Sequence, residues 1–410
     1  MRHDHTKWLI HFVRDRNPEQ DFCFYDDYRY NKEVGGELDI DSNAFEVLKH
    51  IINTGLKPGY SFRNNQTTIY GGYPAICASE MPIYSFSQYV KKTNNTKRVS
   101  SYGIAFLKSE FFSAGGRPVI YGLSDNTAYQ KMFKNDYDCR IFDDSVLPEH
   151  EQYRYVTYSP SGDKWVDWSH EREWRWCELG DQNSKIDYQD IEGTYVESPG
   201  LPLFSGTEND GYFSQVAIIV WSSSEAEKIQ QELTRYYFSE SNEYGVFFSR
   251  DVIRNSIIII LDDVVRQVEK NSDIDSQTIE GLKESSLFKS VLLHNELPSS
   301  EVEAIKEAIS KAEIAGKIAS LKYIKADPPY GFCGFAYVVT DQLTHPIVQT
   351  MIRNGWAEVY GGIATVGLKY KITPKYCQCI EYKESINSIM AAALNNYLNV
   401  DIFYMKSRLD

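Results

Sequence analysis

Over residues 1–270 of this 410-residue chain, short β-prone runs and short amphipathic helices follow one another without a fixed alternation, and that irregular rhythm most limits the fold. Trp8–Val13 (WLIHFV) reads as a strand, and the polar, acidic stretch Asp15–Asp41 reads as a long loop. Asn43–Thr54 reads as a helix: Phe45, Leu48, Ile51 and Ile52 fall on one face, Ser42 or Asn43 can cap it, and Gly55 can stop it. Ile83–Val90 is expected as helix, Tyr102–Phe106 as strand, Leu107–Ser113 as helix and Arg117–Tyr121 as strand. Tyr153–Tyr158, Glu173–Cys177, Gln215–Trp221 and Ser256–Leu261 read as strands, Ser223–Tyr236 and Asp262–Glu269 as helices. A doubly wound sheet needs a regular βαβ repeat, which is missing, so the expected class is α+β.

Between Lys270 and Ser276 the chain turns almost wholly polar (KNSDIDS), which predicts domains at 1–270 and 276–410. The second is expected to be a smaller α+β accessory domain with a sensing, regulatory or partner-binding part. Its elements are a helix at Ser300–Ser320, a strand at Phe332–Thr340, a helix near Leu343–Asn354, a hairpin about Gly361–Gly362, and a helix from Glu381 to Leu398.

The formal charge of −14 excludes bulk attraction to phosphate backbones, so any nucleic-acid contact is local. Lys91, Lys92, Lys97 and Arg98 form a compact positive loop, which solvation alone also explains. Seven scattered cysteines and a polar start without a long apolar core point to a reducing cytoplasm. No run approaches 18 apolar residues, and even Ser256–Leu261 stops at Asp262 and Asp263, so no membrane span is expected.

Walker, GxGxxG, HExxH and GxSxG motifs are absent. Cys377 and Cys379 lack a second pair at zinc spacing, and His3 and His5 lie at a terminus, so no metal site is expected. His170–Cys177 (HEREWRWC) is the most informative segment. If extended throughout, it places Glu171, Glu173 and Arg175 on one face, a carboxylate pair suited to acid/base or oxocarbenium chemistry. A solvated edge strand with a Glu/Arg ladder accounts for the same pattern. His11 sits mid-strand, where a core histidine bonded to backbone is the ordinary outcome; Arg14 and Arg16 stand where that strand ends, placed to meet a phosphate or solvent. Ser79 and Glu80 can end a strand and cap a helix, and Tyr70, Tyr73, Tyr84 and Tyr102 can fill a tyrosine-rich core.

Taken in order, HFVR, NAFEVLKHIINTG, YGGYPAICASEMP, YGIAF, GGRPVIYG and EREWR resemble the AbiGi-like abortive-infection proteins of bacterial phage defence, and more distantly the DarT-type ADP-ribosyltransferases. The resemblance covers about Trp8 to Cys177, and by extension the strands to Leu261, but not the C-terminal third. It implies a split, strongly bent sheet holding NAD as substrate. His11 would orient the adenosine-side ribose, Phe12 would adjoin it in the cofactor site, and Arg14 would meet the pyrophosphate. Ser79 would lie in the middle of the site, with Tyr84 or Tyr102 stacking on nicotinamide. Glu173 would be the late catalytic carboxylate, with Glu171 contacting the acceptor.

The function so implied is transfer of ADP-ribose from NAD to a nucleic acid or protein, restrained by an antitoxin or released by a phage trigger protein. NAD hydrolysis is the alternative within enzymes. A non-catalytic antitoxin or binding module with the same fold is the alternative outside them.

Overall fold

A computed structural model describes residues 6–21, 38–39, 41–64, 66–93, 95–122, 129–134, 137–160, 166–179, 184–189, 194–206, 211–270, 279–282, 284–370 and 374–409. The molecule is α+β and divides into two compact units, Met1–Gln230 with Tyr244–Ser290, and Gln231–Glu243 with Val291–Asp410. No helix among the described residues is long and apolar enough to cross a membrane.

Unit 1 is built on an eight-stranded sheet of β1 (Trp8–Val13), β2 (Ile76–Ser79), β3 (Tyr102–Leu107), β4 (Arg117–Pro118), β5 (Glu173–Trp176), β6 (Val216–Val220), β7 (Ile257–Ile260) and β8 (Leu287–Lys289). Across the sheet their order is β8-β7-β6-β3-β1-β2-β5-β4. Only β6 and β7 run parallel; both are continuous apolar runs, as strands buried on two faces must be. Helices α2 (Ile83–Lys92) and α3 (Leu261–Lys270) cover one face. There Phe86, Leu261 and Val264 pack on Ile10, Ala105, Ala217, Ile219 and Ile259, each buried Phe, Leu, Ile or Val contributing roughly 1.5–3 kcal/mol. Helix α1 (Ala44–Thr54) packs on β1 and β3. Its start is fixed by a capping box in which Asn43 accepts from the Phe45 and Glu46 amides and Glu46 accepts from the Asn43 amide.

Several expectations are corrected. The stretch Asp15–Asp41 contains a short helix at Pro18–Asp21; residues 22–37 and 40 lie outside the described residues. Arg117–Tyr121 is two strands: Arg117–Pro118 joins the main sheet, and Ile120–Tyr121 pairs with Tyr155–Val156. The strand expected over Tyr153–Tyr158 is reduced to that last pair. The domain boundary expected at 270–276 falls mostly outside the described residues; β8, C-terminal to it, pairs with β7 in the unit 1 sheet. A second sheet, Phe62–Arg63, Gln66–Tyr70, Tyr137–Ile141 and Gln130–Lys134, and the hairpin Lys185–Gln189 with Tyr195–Pro199, are elements the sequence reading passed over.

In unit 2, α4 (Ser299–Ala326) precedes β9 (Gly334–Thr340), α5 (Pro346–Arg353), β10 (Ala357–Tyr360), β11 (Ile363–Val366), α6 (Ile380–Leu398) and β12 (Tyr404–Leu409). The sheet order β10-β11-β9-β12, antiparallel throughout, with β-α-β-β-α-β connections, is a split βαβ arrangement. Gly361 and Gly362 both have positive φ and form the two-residue turn of the β10–β11 hairpin. Val338, Met351, Ile386 and Met390 lie in the core on the helix side.

Candidate functional site

The site begins at a seam in the unit 1 sheet. Strands β1 and β3 pair along their length, from Trp8↔Leu107 to Val13↔Tyr102, whereas β1 meets β2 only through Ile10↔Ser79. Ser79 is also opposite Glu173, and β2 and β5 stay paired from there to Trp176↔Ile76. Five strands thus lie on one side of a single-pair junction and three on the other. Just past the junction the His11 imidazole bonds through Nδ1 to the Cys77 carbonyl at 2.8 Å. A carbonyl only accepts, so Nδ1 carries the proton. Burial, and then Arg14, hold the His11 pKa below its ordinary value, so the ring is neutral and Nε2 keeps its lone pair.

By strand alternation His11 faces away from Ile10, and on that side lies a cavity of about 520 Å³. Its size is in the roughly 300–1,000 Å³ range of small-molecule sites. His11, Phe12 and Arg14 form its β1 wall, Val47, His50 and Thr54 of α1 a second, and the turn Gly55–Tyr60 a third. Arg16 and Lys57 also line it, and His50 is pushed down to about 4 by burial and then by these two cations. Asp15, Asp21 and Glu178 supply the opposite charge, and Arg14 donates to both carboxylate oxygens of Asp21. Gly55, at φ +112°, lets the turn approach its neighbours: a Cβ there would sit 2.8 Å from Ile186 Cγ2 and 2.9 Å from the Leu201 carbonyl.

HEREWRWC is not extended throughout. Ser169–Glu171 is a 3₁₀ turn, started by Asp167 accepting from the Ser169 amide, and Arg172 is left-handed at φ 44°. The strand begins at Glu173, so only Glu173 and Arg175 share a strand face and Glu171 reaches the site from the turn. Arg175 donates from Nε to Glu173 Oε1 at 2.7 Å and from Nη2 to Oε2 at 3.1 Å, a bidentate pair. Burial disfavours the Arg175 cation, but Glu173 and then Cys77 together outweigh it and raise its pKa. Tyr89 of α2 donates to Glu171 Oε1 at 3.3 Å. Burial first, and Glu173 second, push the Glu171 carboxyl up, so the two carboxylates are within electrostatic reach despite the turn.

The remaining candidates are distributed around this junction. Ser79 Oγ donates to the Glu171 carbonyl and accepts from the Met81 amide. Phe12 stacks on Phe86 at 4.9 Å. Tyr102 opens β3, packs against Phe45 and donates to Glu225 at 2.7 Å; burial and that bond raise its pKa. Tyr84 is half-buried in the first turn of α2. His11, Phe12 and Arg14 share the cavity; Ser79, Tyr84, Tyr102, Glu171 and Glu173 are not among its lining. In the basic loop, Lys91 is ion-paired with Glu269 and Arg98 lies over the Trp168 ring at 4.7 Å. The sequence reading missed His50, Lys57 and the Gly55–Tyr60 turn; a helix-stopping glycine followed by KPGY was the available signal.

His3 and His5 lie outside the described residues. Among the described residues no group of three or more His, Cys, Asp or Glu is placed to hold a metal ion, and six cysteines are free thiols. No family model, curated protein or solved structure matches the chain.

Proposed function

We propose that unit 1 binds NAD beside β1 and transfers its ADP-ribose to a nucleic-acid or protein acceptor, as an AbiGi-like effector of bacterial phage defence related to the DarT-type transferases. One observation supports this reading above the rest. His11, Phe12 and Arg14 line a cavity of ligand size beside a sheet junction whose other side carries Glu171 and Glu173. Ile10 and Glu173, both opposite Ser79, are two strand spacings apart, about 9.6 Å, and share the sheet face that His11 turns away from, so a dinucleotide in the cavity would reach Glu173 through the gap beyond the Ile10–Ser79 pair.

In this reading the adenosine diphosphate occupies the cavity. Neutral His11 accepts from a ribose hydroxyl, and Arg14, Arg16 and Lys57 offset the pyrophosphate charge. The other ribose reaches the carboxylates across the unpaired continuation of β1 and β2. Cleavage of the nicotinamide–ribose bond sends the bonding pair to nicotinamide, which leaves neutral, and positive charge develops on the ribose. Glu173, held in one orientation by Arg175, is stabilised most when that charge is present and lowers the barrier preferentially. Glu171, whose raised pKa makes it a better base, takes the proton of the attacking acceptor. If water takes the acceptor's place, the same site hydrolyses NAD.

Incubation of the purified protein with NAD labelled in its adenylate phosphate, together with cellular nucleic acid and protein, separates the outcomes. Label on a macromolecule is the expected result. Free ADP-ribose identifies hydrolysis, and intact NAD with folded protein identifies a binding or antitoxin module.

A further inference from the structure

We infer that the open face of the unit 2 sheet binds single-stranded nucleic acid, a site independent of whatever chemistry unit 1 performs. Helices cover one side of this sheet: Ala336 and Val338 of β9 are buried, and Ile380 of α6 stands where a Cβ on Gly334 would point. By alternation Phe335 and Tyr337 face the other way, and cross-strand partners share a face. Phe335 is opposite Arg408, Tyr337 opposite Lys406 and Val339 opposite Tyr404. Two neighbouring rows, roughly 7 Å apart, therefore each pair an aromatic ring with a cation, and the third pairs Val339 with the Tyr404 ring.

Val339 is buried, but the polar and charged members of this face are not. Tyr337 and Tyr404 are each 41% exposed, and Lys406 and Arg408 are exposed. Phe335 is different: it is half-buried, with Lys383 Nζ 4.6 Å and the Arg408 guanidinium 5.5 Å from its ring, so it supports the platform. Its ring lies parallel to Tyr337 within 4°, centroids 6.4 Å apart. Tyr360, 90% exposed on β10, extends the same face, while Glu358 and Asp341 are its acidic neighbours.

The pairing of chemistries selects the occupant. Exposed π-faces stack on unpaired bases, which a duplex hides, and cations beside them meet the phosphates of the same strand. Charge permits it locally: residues 291–410 contain equal numbers of acidic and basic residues, so the whole excess of −14 lies in residues 1–290.

The test is fluorescence anisotropy of the full-length protein with labelled oligouridylate, oligodeoxythymidylate and a duplex of equal length, over a salt series. Either single strand is expected to bind in preference to duplex, and the better of the two tells RNA from DNA. Tyr337→Ala and Tyr404→Ala should each weaken binding about tenfold, with Tyr→Phe restoring it. The double variant K406E/R408E should weaken binding and reduce the salt slope by about 1.4, for two lost phosphate contacts. K317E/K322E, an equal charge change on exposed α4, should leave the slope near wild type. If the alanine variants fail to fold, the charge variants decide alone. Absence of single-strand binding, a preference for duplex, or wild-type affinity in folded variants overturns the inference, as does a wild-type dimer that Tyr337→Ala splits.

Discussion

At the scale of single residues, the candidate chemistry depends on how burial and neighbouring charge set each titrating group. His50 makes this measurable. It stays neutral down to about 4 in the folded protein, whereas an unfolded imidazole binds its proton near 6.5, so between those values the unfolded chain holds the extra proton. The stability this residue supports is therefore full above 6.5 and is lost as pH falls toward 4. Urea unfolding at about pH 7 and about pH 5 should show a loss of about 2 kcal/mol from this group, removed in His50→Gln. An equal loss in wild type and variant would contradict the assignment. Residue types were legible from sequence here, but environments were not. His11 was readable as a mid-strand imidazole, while its bond to the Cys77 carbonyl requires a strand 66 positions away. Nothing in HEREWRWC announced that Arg172 would turn left-handed and bring Glu171 in from a turn.

At the scale of elements, local signals succeeded where they were complete within one segment. Ser42 or Asn43 ahead of the Phe45, Leu48, Ile51 and Ile52 face gave the α1 start, which Asn43 caps, and paired glycines gave the β10–β11 hairpin. They failed where an element is defined by its partner: Leu287–Lys289 is too short to read as a strand, yet it forms the edge of the main sheet. This carries a prediction. A chain ended at 276 strips β8 from β7 and exposes a strand edge of isoleucines, whereas one ended at 290 keeps it. The shorter chain should melt roughly 5 °C or more lower, with more aggregation on heating. Equal melting of the two would show that β8 adds nothing to the sheet.

At the scale of the whole molecule, the α+β class followed from the irregular order of elements, while the domain boundary was expected from the polar stretch 270–276. The division differs in detail because Gln231–Glu243 belongs with unit 2 and residues to Ser290 with unit 1, an exchange no local composition encodes. The open sheet face was equally hidden, since Phe335 and Tyr337 meet Lys406 and Arg408 only through strand register. If a carboxylate at the sheet junction acts on NAD as proposed, release of nicotinamide reads it directly, because transfer and hydrolysis both produce it. Wild-type protein should release nicotinamide from NAD, and Glu173→Gln should do so about 100-fold or more slowly with its fold intact. Wild-type release rates in both Glu173→Gln and Glu171→Gln would contradict the account.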